Sequence, residues 1–166
     1  MIEVGSTLPD ATLYESVAFG ADCPIAATKV STAEAARGKR IVIFGLPGAF
    51  TTTCSEQHVP SYLKNHDALK QKGVDEIWCV SVNDGQVMAA WGREQKAIGK
   101  IRFLGDGSAE FATKLGLTRD LTAGGMGIRM RRCSLLVENG VVKSLNLEES
   151  GKFVVSDAQT MLAQLG

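Results

Sequence analysis

The sequence predicts an α/β fold with a mixed central sheet flanked by helices. Short, β-branched apolar runs alternate with helical patterns between residues 40 and 116, and this alternation implies a parallel core. Two further apolar runs follow, joined by Asn139-Gly140, a pair typical of a tight hairpin that adds an antiparallel edge. No repeat or linker interrupts the 166 residues, a length that suits one domain with a substantial core.

The first elements lie before residue 47. Residues 11–30 contain short alternating stretches broken by glycine and proline, and they predict an N-terminal β-hairpin. Ser31-Thr32-Ala33-Glu34 fits a capping box, so a short helix is predicted to start there and to end at Gly38. The run from Arg40 to Leu46 is short, β-branched and bounded by glycine and proline, which predicts a buried strand.

The next predicted helix carries the most informative residue of the chain. Thr53-Cys54-Ser55-Glu56 also fits a capping box, which predicts a helix over 53–72 that is kinked at Pro60. Cys54 then lies in the first turn, where unpaired N–H groups and the helix dipole favour a negative charge. Because the thiolate is the reactive form of cysteine, this position favours a nucleophilic thiol.

The remaining elements continue the alternation. In chain order they are a strand at 76–82, a helix at 86–98, a strand at 101–104, a helix at 108–116, a loop rich in glycine and threonine at 117–127, strands at 129–137 and 141–147, and a last helix. Ser156 or Asp157 is predicted to cap that helix, which runs to Leu165.

Composition narrows the function classes. The formal net charge is zero, with 18 basic and 18 acidic residues, so nothing calls for a nucleic acid or an anionic membrane as partner. No apolar run approaches the roughly 20 residues that span a bilayer. The start of the sequence shows neither a signal-peptide pattern nor a transit-peptide pattern, so a cytoplasmic location is expected.

Four cysteines occur, and none forms Cys-x-x-Cys. This spacing argues against a dithiol redox centre and against a zinc ribbon. In a reducing compartment the thiols are expected to be free, and Cys23 and Cys133 are interpreted as bystanders.

The string from Pro47 to Cys54 resembles a known signature. Pro47-x-x-x-Thr51-x-x-Cys54 is similar to the active-site motif of peroxiredoxins. Pro-Gly-Ala-Phe-Thr, His58-Val59-Pro60, Ser81-Val82-Asn83-Asp84 and Trp91-Gly92 resemble the peroxiredoxin-5 branch, which includes plant type II enzymes, and the similarity runs from about residue 4 to the C-terminus. The resemblance implies a thioredoxin fold with an N-terminal β-hairpin extension, one domain over 1–166, an antioxidant thiol peroxidase without metal or other cofactor, and a homodimer.

The resemblance also assigns roles by position. Cys54 resembles the peroxidatic cysteine, and Arg132 resembles the arginine that activates it. Thr51 resembles the residue whose hydroxyl contacts the sulfur and the peroxide, and Pro47 resembles the proline that shields the pocket. The neighbouring candidates for substrate binding are Gly48, Phe50 and Thr53.

The same residue types fit the chemistry of peroxide reduction. Thiolate attack breaks the O–O bond and moves negative charge from sulfur to the leaving oxygen, so donors aimed at the reacting oxygens accelerate it. Arg132 is a suitable donor because residue alternation on the predicted strand places it on the face of Ser134 and Leu136, where a lone guanidinium would be costly. Arg129, on the opposite face, is interpreted as solvated.

Three points stay open in the sequence. His58 lies four residues after Cys54 and could form a dyad with it, although a structural role in the pocket wall is preferred. A metal site formed by Cys54, His58 and His66 is disfavoured because the ligands are too few and their neighbours are apolar. The resemblance to plant type II members makes Cys79 a possible resolving cysteine, but its apolar neighbours predict a buried strand.

The expected cycle therefore uses an external thiol, namely glutathione with glutaredoxin, or thioredoxin. The alternatives are a two-cysteine cycle with a Cys54–Cys79 disulfide and a redox sensor or holdase without significant turnover. The sequence supports turnover over sensing because Thr51 and Arg132 supply more than an oxidisable thiol requires.

Overall fold

The structure, a computed structural model, describes residues 1–166 and centres on a seven-stranded mixed sheet in the order β2-β1-β5-β4-β3-β8-β9. The strands are β1 (Thr12–Glu15), β2 (Thr28–Ser31), β3 (Arg40–Leu46), β4 (Glu76–Ser81), β5 (Arg102–Gly105), β6 (Thr118–Asp120), β7 (Ile128–Met130), β8 (Cys133–Glu138) and β9 (Val141–Leu147). The helices are α1 (Thr32–Ala36), α2 (Val59–Lys64), α3 (His66–Gln71), α4 (Gly85–Glu94), α5 (Glu110–Leu115) and α6 (Ala158–Leu165). None of them has the length and apolar character that a bilayer-spanning segment needs.

The pairing confirms the predicted mixed sheet. β3, β4 and β5 are parallel neighbours, whereas β8 and β9 add antiparallel strands beside β3. The predicted N-terminal hairpin is present as β1 paired antiparallel with β2, and β1 also pairs with β5. The carboxyl ends of the parallel strands therefore meet at one edge, which is where ligands bind in open α/β sheets.

Apolar side chains fill both faces of the sheet because residues alternate along each strand. Ile41 and Ile43 of β3 face a cluster beneath α1 and α5. Phe44 and Leu46 face a second cluster beneath α2, α4 and α6, and this cluster includes Cys54. The candidate nucleophile is thus part of the second core layer.

Local signals that depend on hydrogen bonds between near neighbours are confirmed. The Ser31 side chain accepts from the Glu34 N–H at the start of α1. The Asp157 side chain accepts from the Thr160 N–H at the start of α6, which decides between the two predicted caps. Asn139 and Gly140 have φ of 45° and 77°, as a two-residue hairpin turn of β8 and β9 requires.

The predicted helix over 53–72 with a Thr53 cap is wrong in two respects. Thr53 already has helical backbone angles and its side chain makes no capping hydrogen bond. The segment forms a π-helical turn at Cys54–His58 followed by α2 and α3, and the break between these helices is at Asn65 rather than at Pro60. Since Pro60 has no N–H and its ring crowds the carbonyl four residues earlier, the chain widens before it, and the Val59 N–H reaches the Cys54 carbonyl.

The predicted strand over 129–137 is also wrong, because it is two strands. β7 ends at Met130 and pairs with β6 in a separate two-stranded sheet, whereas β8 begins at Cys133. Arg131 and Arg132 lie in the connection between them. The predicted loop over 117–127 correspondingly contains β6 and a short 3-10 turn at Thr122–Gly124.

Candidate active site

Cys54 is fully buried in the π-helical turn that follows the loop after β3. Its Sγ accepts a hydrogen bond from Nη2 of Arg132 at 3.1 Å. The contact joins two segments 78 positions apart in the sequence. The contact places a permanent positive charge beside the sulfur, at the start of the helical segment.

Arg132 is held by a second contact on its other nitrogen. Its Nη1 donates to Nδ1 of His58 at 2.9 Å, and His58 Nε2 lies 3.1 Å from the Ser156 carbonyl oxygen. These partners place the ring proton on Nε2. Burial, and then the charge of Arg132, lower the pKa of His58 to about 3, so the ring is neutral at pH 7. A neutral acceptor orients the guanidinium without cancelling its charge.

Further hydrogen bonds hold the segment around Ser156, whose carbonyl oxygen contacts His58. The Ser156 carbonyl also accepts from the Tyr62 hydroxyl at 2.8 Å. Glu148 Oε2 accepts from the Ser156 N–H at 2.9 Å, from the Ser156 hydroxyl at 2.8 Å, and from the N–H groups of Val154 and Val155. Burial opposes ionisation of Glu148, but these hydrogen bonds outweigh it and hold its pKa below the ordinary value. The carboxylate therefore acts as a structural anchor beneath the site.

Side chains from other elements hold the loop that precedes Cys54. Arg129 Nη1 donates to the Pro47 carbonyl at 3.1 Å, while its Nε donates to the Met126 carbonyl at 2.7 Å. Asn83, which follows β4 by two residues, accepts through its side chain from the Ala49 N–H at 3.0 Å. Arg129 is thus not the solvated residue that strand alternation predicts, and its role was missed because β7 is not continuous with β8.

Thr51 lies in this loop, but its hydroxyl group is not directed at the Cys54 sulfur. Its hydroxyl donates to the Gly48 carbonyl at 2.7 Å and makes no hydrogen bond to the Cys54 sulfur. The turn leaves little room at Gly48, where a Cβ would lie 3.0 Å from Arg129 Nη1 and 3.2 Å from Thr51 Cγ2. Glycine therefore allows the arginine to approach the loop.

Phe50 and Thr53 lie in different surroundings. Phe50 has a positive φ of 62°, is 57% exposed, and its ring centroid is 6.4 Å from that of Trp91. Thr53 lines a cleft of about 360 Å³ together with Pro47 and Arg132. Three of the predicted site residues thus share one cleft beside the buried sulfur, and Phe50 lies outside it.

Two sequence comparisons decide the family. The redoxin family profile matches residues 3–162. Peroxiredoxin-2D of Arabidopsis thaliana is 44% identical over 164 residues, which cover 99% of this chain and 98% of the relative. The chain belongs to the peroxiredoxin family. It is a thiol peroxidase, and its similarity to plant peroxiredoxin-2 proteins fits the type II branch that the sequence motifs indicate.

Solved structures confirm the thioredoxin-type fold of this peroxiredoxin. Reduced Prx3 from Vibrio vulnificus in complex with H2O2 is 46% identical, with a TM-score of 0.91 and coverage of 100% of both chains. A protein from Burkholderia cenocepacia described as a putative thioredoxin reductase is 53% identical, with a TM-score of 0.95 and coverage of 100% of this chain and 99% of that one.

The peroxiredoxin's other cysteines are placed differently from Cys54. All four are free thiols, and Cys23 is exposed. Cys79 is fully buried in β4, where it lies between Phe44 of β3 and Phe103 of β5. Burial, and then proximity to Cys54, raise the pKa of Cys79 well above its ordinary value, which keeps that thiol protonated. On the opposite face of the sheet, burial raises the pKa of Cys133 to about 12.

Proposed function

We propose that Cys54 is the peroxidatic cysteine, that it reduces hydrogen peroxide and alkyl hydroperoxides, and that an external thiol clears its sulfenic acid. The observation that carries the proposal is the 3.1 Å contact between Arg132 Nη2 and the buried Cys54 Sγ. Arg132 brings a permanent positive charge to the only buried cysteine that lies at a helix start.

The first step transfers one oxygen atom to the thiolate. The Cys54 thiolate attacks the nearer peroxide oxygen, an S–O bond forms, and the O–O bond breaks. Hydroxide or alkoxide leaves and takes up a proton, and the sulfur is left as sulfenic acid. Because the negative charge moves from sulfur to oxygen, a donor beside both atoms stabilises the transition state more than the ground state. Arg132 has this position, and Pro47 forms part of the cleft wall.

Thr51 is proposed to bind the peroxide as well. Its hydroxyl oxygen can accept a hydrogen bond from the peroxide while the hydroxyl donates its own hydrogen bond to the Gly48 carbonyl. Thr51 would then orient the reacting oxygen rather than the sulfur.

His58 is proposed as a positioning residue and not as the base of a Cys–His dyad. Its Nδ1 accepts from Arg132, and its Nε2 is engaged with Ser156, so neither nitrogen is available to take a proton from the thiol. The ring instead fixes the direction of the guanidinium.

An external thiol is favoured over Cys79 as the resolving group. Cys79 lies within a strand that is paired on both sides, and its protonated thiol is a poor nucleophile. A disulfide needs Cα atoms within about 7 Å and suitable geometry, so the turn around Cys54 would have to unfold locally. The second candidate, a Cys54–Cys79 disulfide, is supported by the shared apolar cluster that holds both residues.

The donor, the assembly and the compartment are also proposals. Glutathione with glutaredoxin, or thioredoxin, is the proposed reductant system, and the family resemblance supports a homodimer. The cytoplasm is proposed because free thiols suit a reducing compartment. Similar proteins include chloroplastic and mitochondrial forms from Arabidopsis thaliana.

Peptide mapping by mass spectrometry tests the one-cysteine cycle. Peroxide-treated protein is incubated with and without glutathione, and turnover of the wild type and Cys79→Ala is compared with both donor systems. We expect a Cys54–glutathione mixed disulfide and equal turnover in the variant, because Cys79 takes no part in the cycle. A Cys54–Cys79 disulfide in the wild type, with turnover by Cys79→Ala lost for both donors, would establish the two-cysteine cycle instead.

A further inference from the structure

The cleft beside Cys54 contains two arginines that the peroxide step does not use. Arg119 comes from β6 and Arg131 from the connection between β7 and β8, and both line the cleft together with Arg132. Both are half-buried. The arginine ion pairs of the structure involve Arg40 and Arg102 instead. The guanidinium groups of Arg119 and Arg131 have no hydrogen-bond partner in the protein, in contrast to that of Arg132. Partly desolvated guanidinium groups without partners are suited to binding an anion.

The acidic residues of the cleft do not neutralise these arginines. Glu148 is bound by backbone N–H groups and by Ser156, and Glu149 pairs with Lys152. Four basic side chains and two carboxylates line the cleft, which leaves a formal excess of two positive charges. The cleft therefore attracts negatively charged ligands.

The remaining lining defines the ligand class further. The 11 lining residues are charged, polar, glycine or proline, and none of them is a large aliphatic or aromatic residue that would hold the tail of a lipid hydroperoxide. Its volume of about 360 Å³ is at the lower end for sites that hold small molecules. Carboxylates match guanidinium groups in geometry and charge. A small, polar molecule with more than one carboxylate fits these features best.

We propose that this cleft binds the carboxylates of the reducing thiol and directs its sulfur towards Cys54. The proposal rests on the external-thiol cycle and names its substrate class, a small thiol that carries carboxylates, as glutathione does. The thiol sulfur attacks the sulfenic sulfur, an S–S bond forms, and the S–O bond breaks with release of water. A second thiol then attacks the mixed disulfide, which returns the Cys54 thiolate and yields the oxidised thiol.

A reductant is favoured over a carboxylate-bearing peroxide as the occupant. Hydrogen peroxide and simple alkyl hydroperoxides carry no carboxylate, so the two free guanidinium groups give them no advantage. The sulfenic acid, in contrast, has to meet a thiol, and the cleft wall includes both Thr53, which precedes Cys54, and Arg132, which contacts its sulfur. Arg119 and Arg131 lie on the wall of that cleft beside Arg132.

The test compares charged and neutral thiols on the same protein. Sulfenic acid is generated with one equivalent of hydrogen peroxide, and its rate of reaction is measured with glutathione and with 2-mercaptoethanol. The readout is the ratio of the two rates in the wild type, Arg119→Gln, Arg131→Gln and the double variant. We expect the ratio to fall about fivefold for each substitution, the scale of a partly exposed charge pair. Added salt should lower the wild-type ratio as well.

Arg37→Gln is the matched control because Arg37 is an exposed arginine at the end of α1 and lies outside the cleft. It should keep the wild-type ratio. A double variant with the wild-type ratio would overturn the cleft proposal alone. A wild type that forms no sulfenic acid, or whose sulfenic acid reacts with neither thiol, would instead overturn the proposed function.

Peroxide substrates form the second arm of the experiment. The rate of Cys54 oxidation by monoperoxyphthalate, which carries a carboxylate, is compared with that by peroxybenzoic acid, which does not. If the arginine variants lower this ratio and leave the thiol ratio unchanged, the cleft selects peroxides and the proposal is wrong.

Discussion

Replacing Arg132 with methionine tests the arrangement around the sulfur most sharply. The substitution keeps an unbranched side chain but removes two donors, one 3.1 Å from Cys54 Sγ and one 2.9 Å from His58 Nδ1. The first loss should affect chemistry and the second should affect stability. Arg132→Lys, which keeps the charge but not the two-pronged geometry, is the matched comparison.

The two effects differ in size and in how they are measured. Loss of a donor preorganised for developing negative charge typically lowers the rate about 100- to 1000-fold. The buried His58 Nδ1 loses its partner, and a buried acceptor without a hydrogen bond costs about 1–3 kcal/mol of unfolding free energy. Arg132→Lys should retain part of the rate because one charged donor can still approach the sulfur.

Stopped-flow measurement of the second-order rate constant for hydrogen peroxide at pH 7 gives the first quantity, and urea titration gives the second. The reasoning would be refuted if Arg132→Met, folded in the urea assay, reacted at the wild-type rate. If Arg131→Met lost the rate instead, the neighbouring arginine would be the one that acts on Cys54.

Two further predictions concern stability. Burial, and then Arg132, lower the pKa of His58 from 6.5 to about 3, so below pH 6.5 the unfolded chain gains a proton that the folded protein does not. The unfolding free energy should then fall by up to roughly 1.4 kcal/mol per pH unit as the pH is lowered from 6.5 to 5. Urea titrations at several pH values should show that His58→Gln lacks this dependence. Equal pH dependence in the wild type and in His58→Gln would contradict the prediction. Gly105→Ala should cost about 1–3 kcal/mol, because a Cβ there would lie 2.6 Å from the Asn83 carbonyl oxygen, whereas Gly124→Ala, with nothing within 4 Å, should be neutral by thermal unfolding. If Gly105→Ala were as stable as Gly124→Ala, the backbone around Asn83 would have to shift at little cost, and the prediction would be wrong.

The sequence predicts correctly those features of the fold that depend on residues close together in the chain. The alternation of strands and helices, the Ser31 and Asp157 caps, and the Asn139-Gly140 turn each depend on residues within a few positions of one another. The helix after Cys54 was mispredicted because the capping-box pattern matches Thr53, whereas Pro60 changes the hydrogen-bond register of the turn before it. The capping-box pattern favours a regular helix from Thr53, whereas Pro60 disfavours one, and the sequence alone does not show which effect is larger.

The candidate site depends on contacts that no local pattern contains. Residue alternation placed Arg132 on the same side of the sheet as Cys54. It predicted a solvated Arg129 incorrectly, because the strand is broken between Met130 and Cys133 and Arg129 contacts the Pro47 carbonyl. The ring of His58 meets Ser156 98 positions away, and only the fold brings them together. The cleft combines residues near 118, 131 and 150, which is why its unpaired arginines could not be found from the sequence alone.

The central claim is that Cys54 is the nucleophile, and a comparison of the wild type with Cys54→Ser tests it most directly. Consumption of hydrogen peroxide is measured with glutathione and glutaredoxin, and with thioredoxin, while circular dichroism confirms that both proteins are folded. Because a serine hydroxyl cannot replace the thiolate, the variant should show no turnover with either donor and no peroxide-dependent mixed disulfide at position 54. A folded Cys54→Ser protein that still reduces peroxide at a substantial fraction of the wild-type rate would contradict the account.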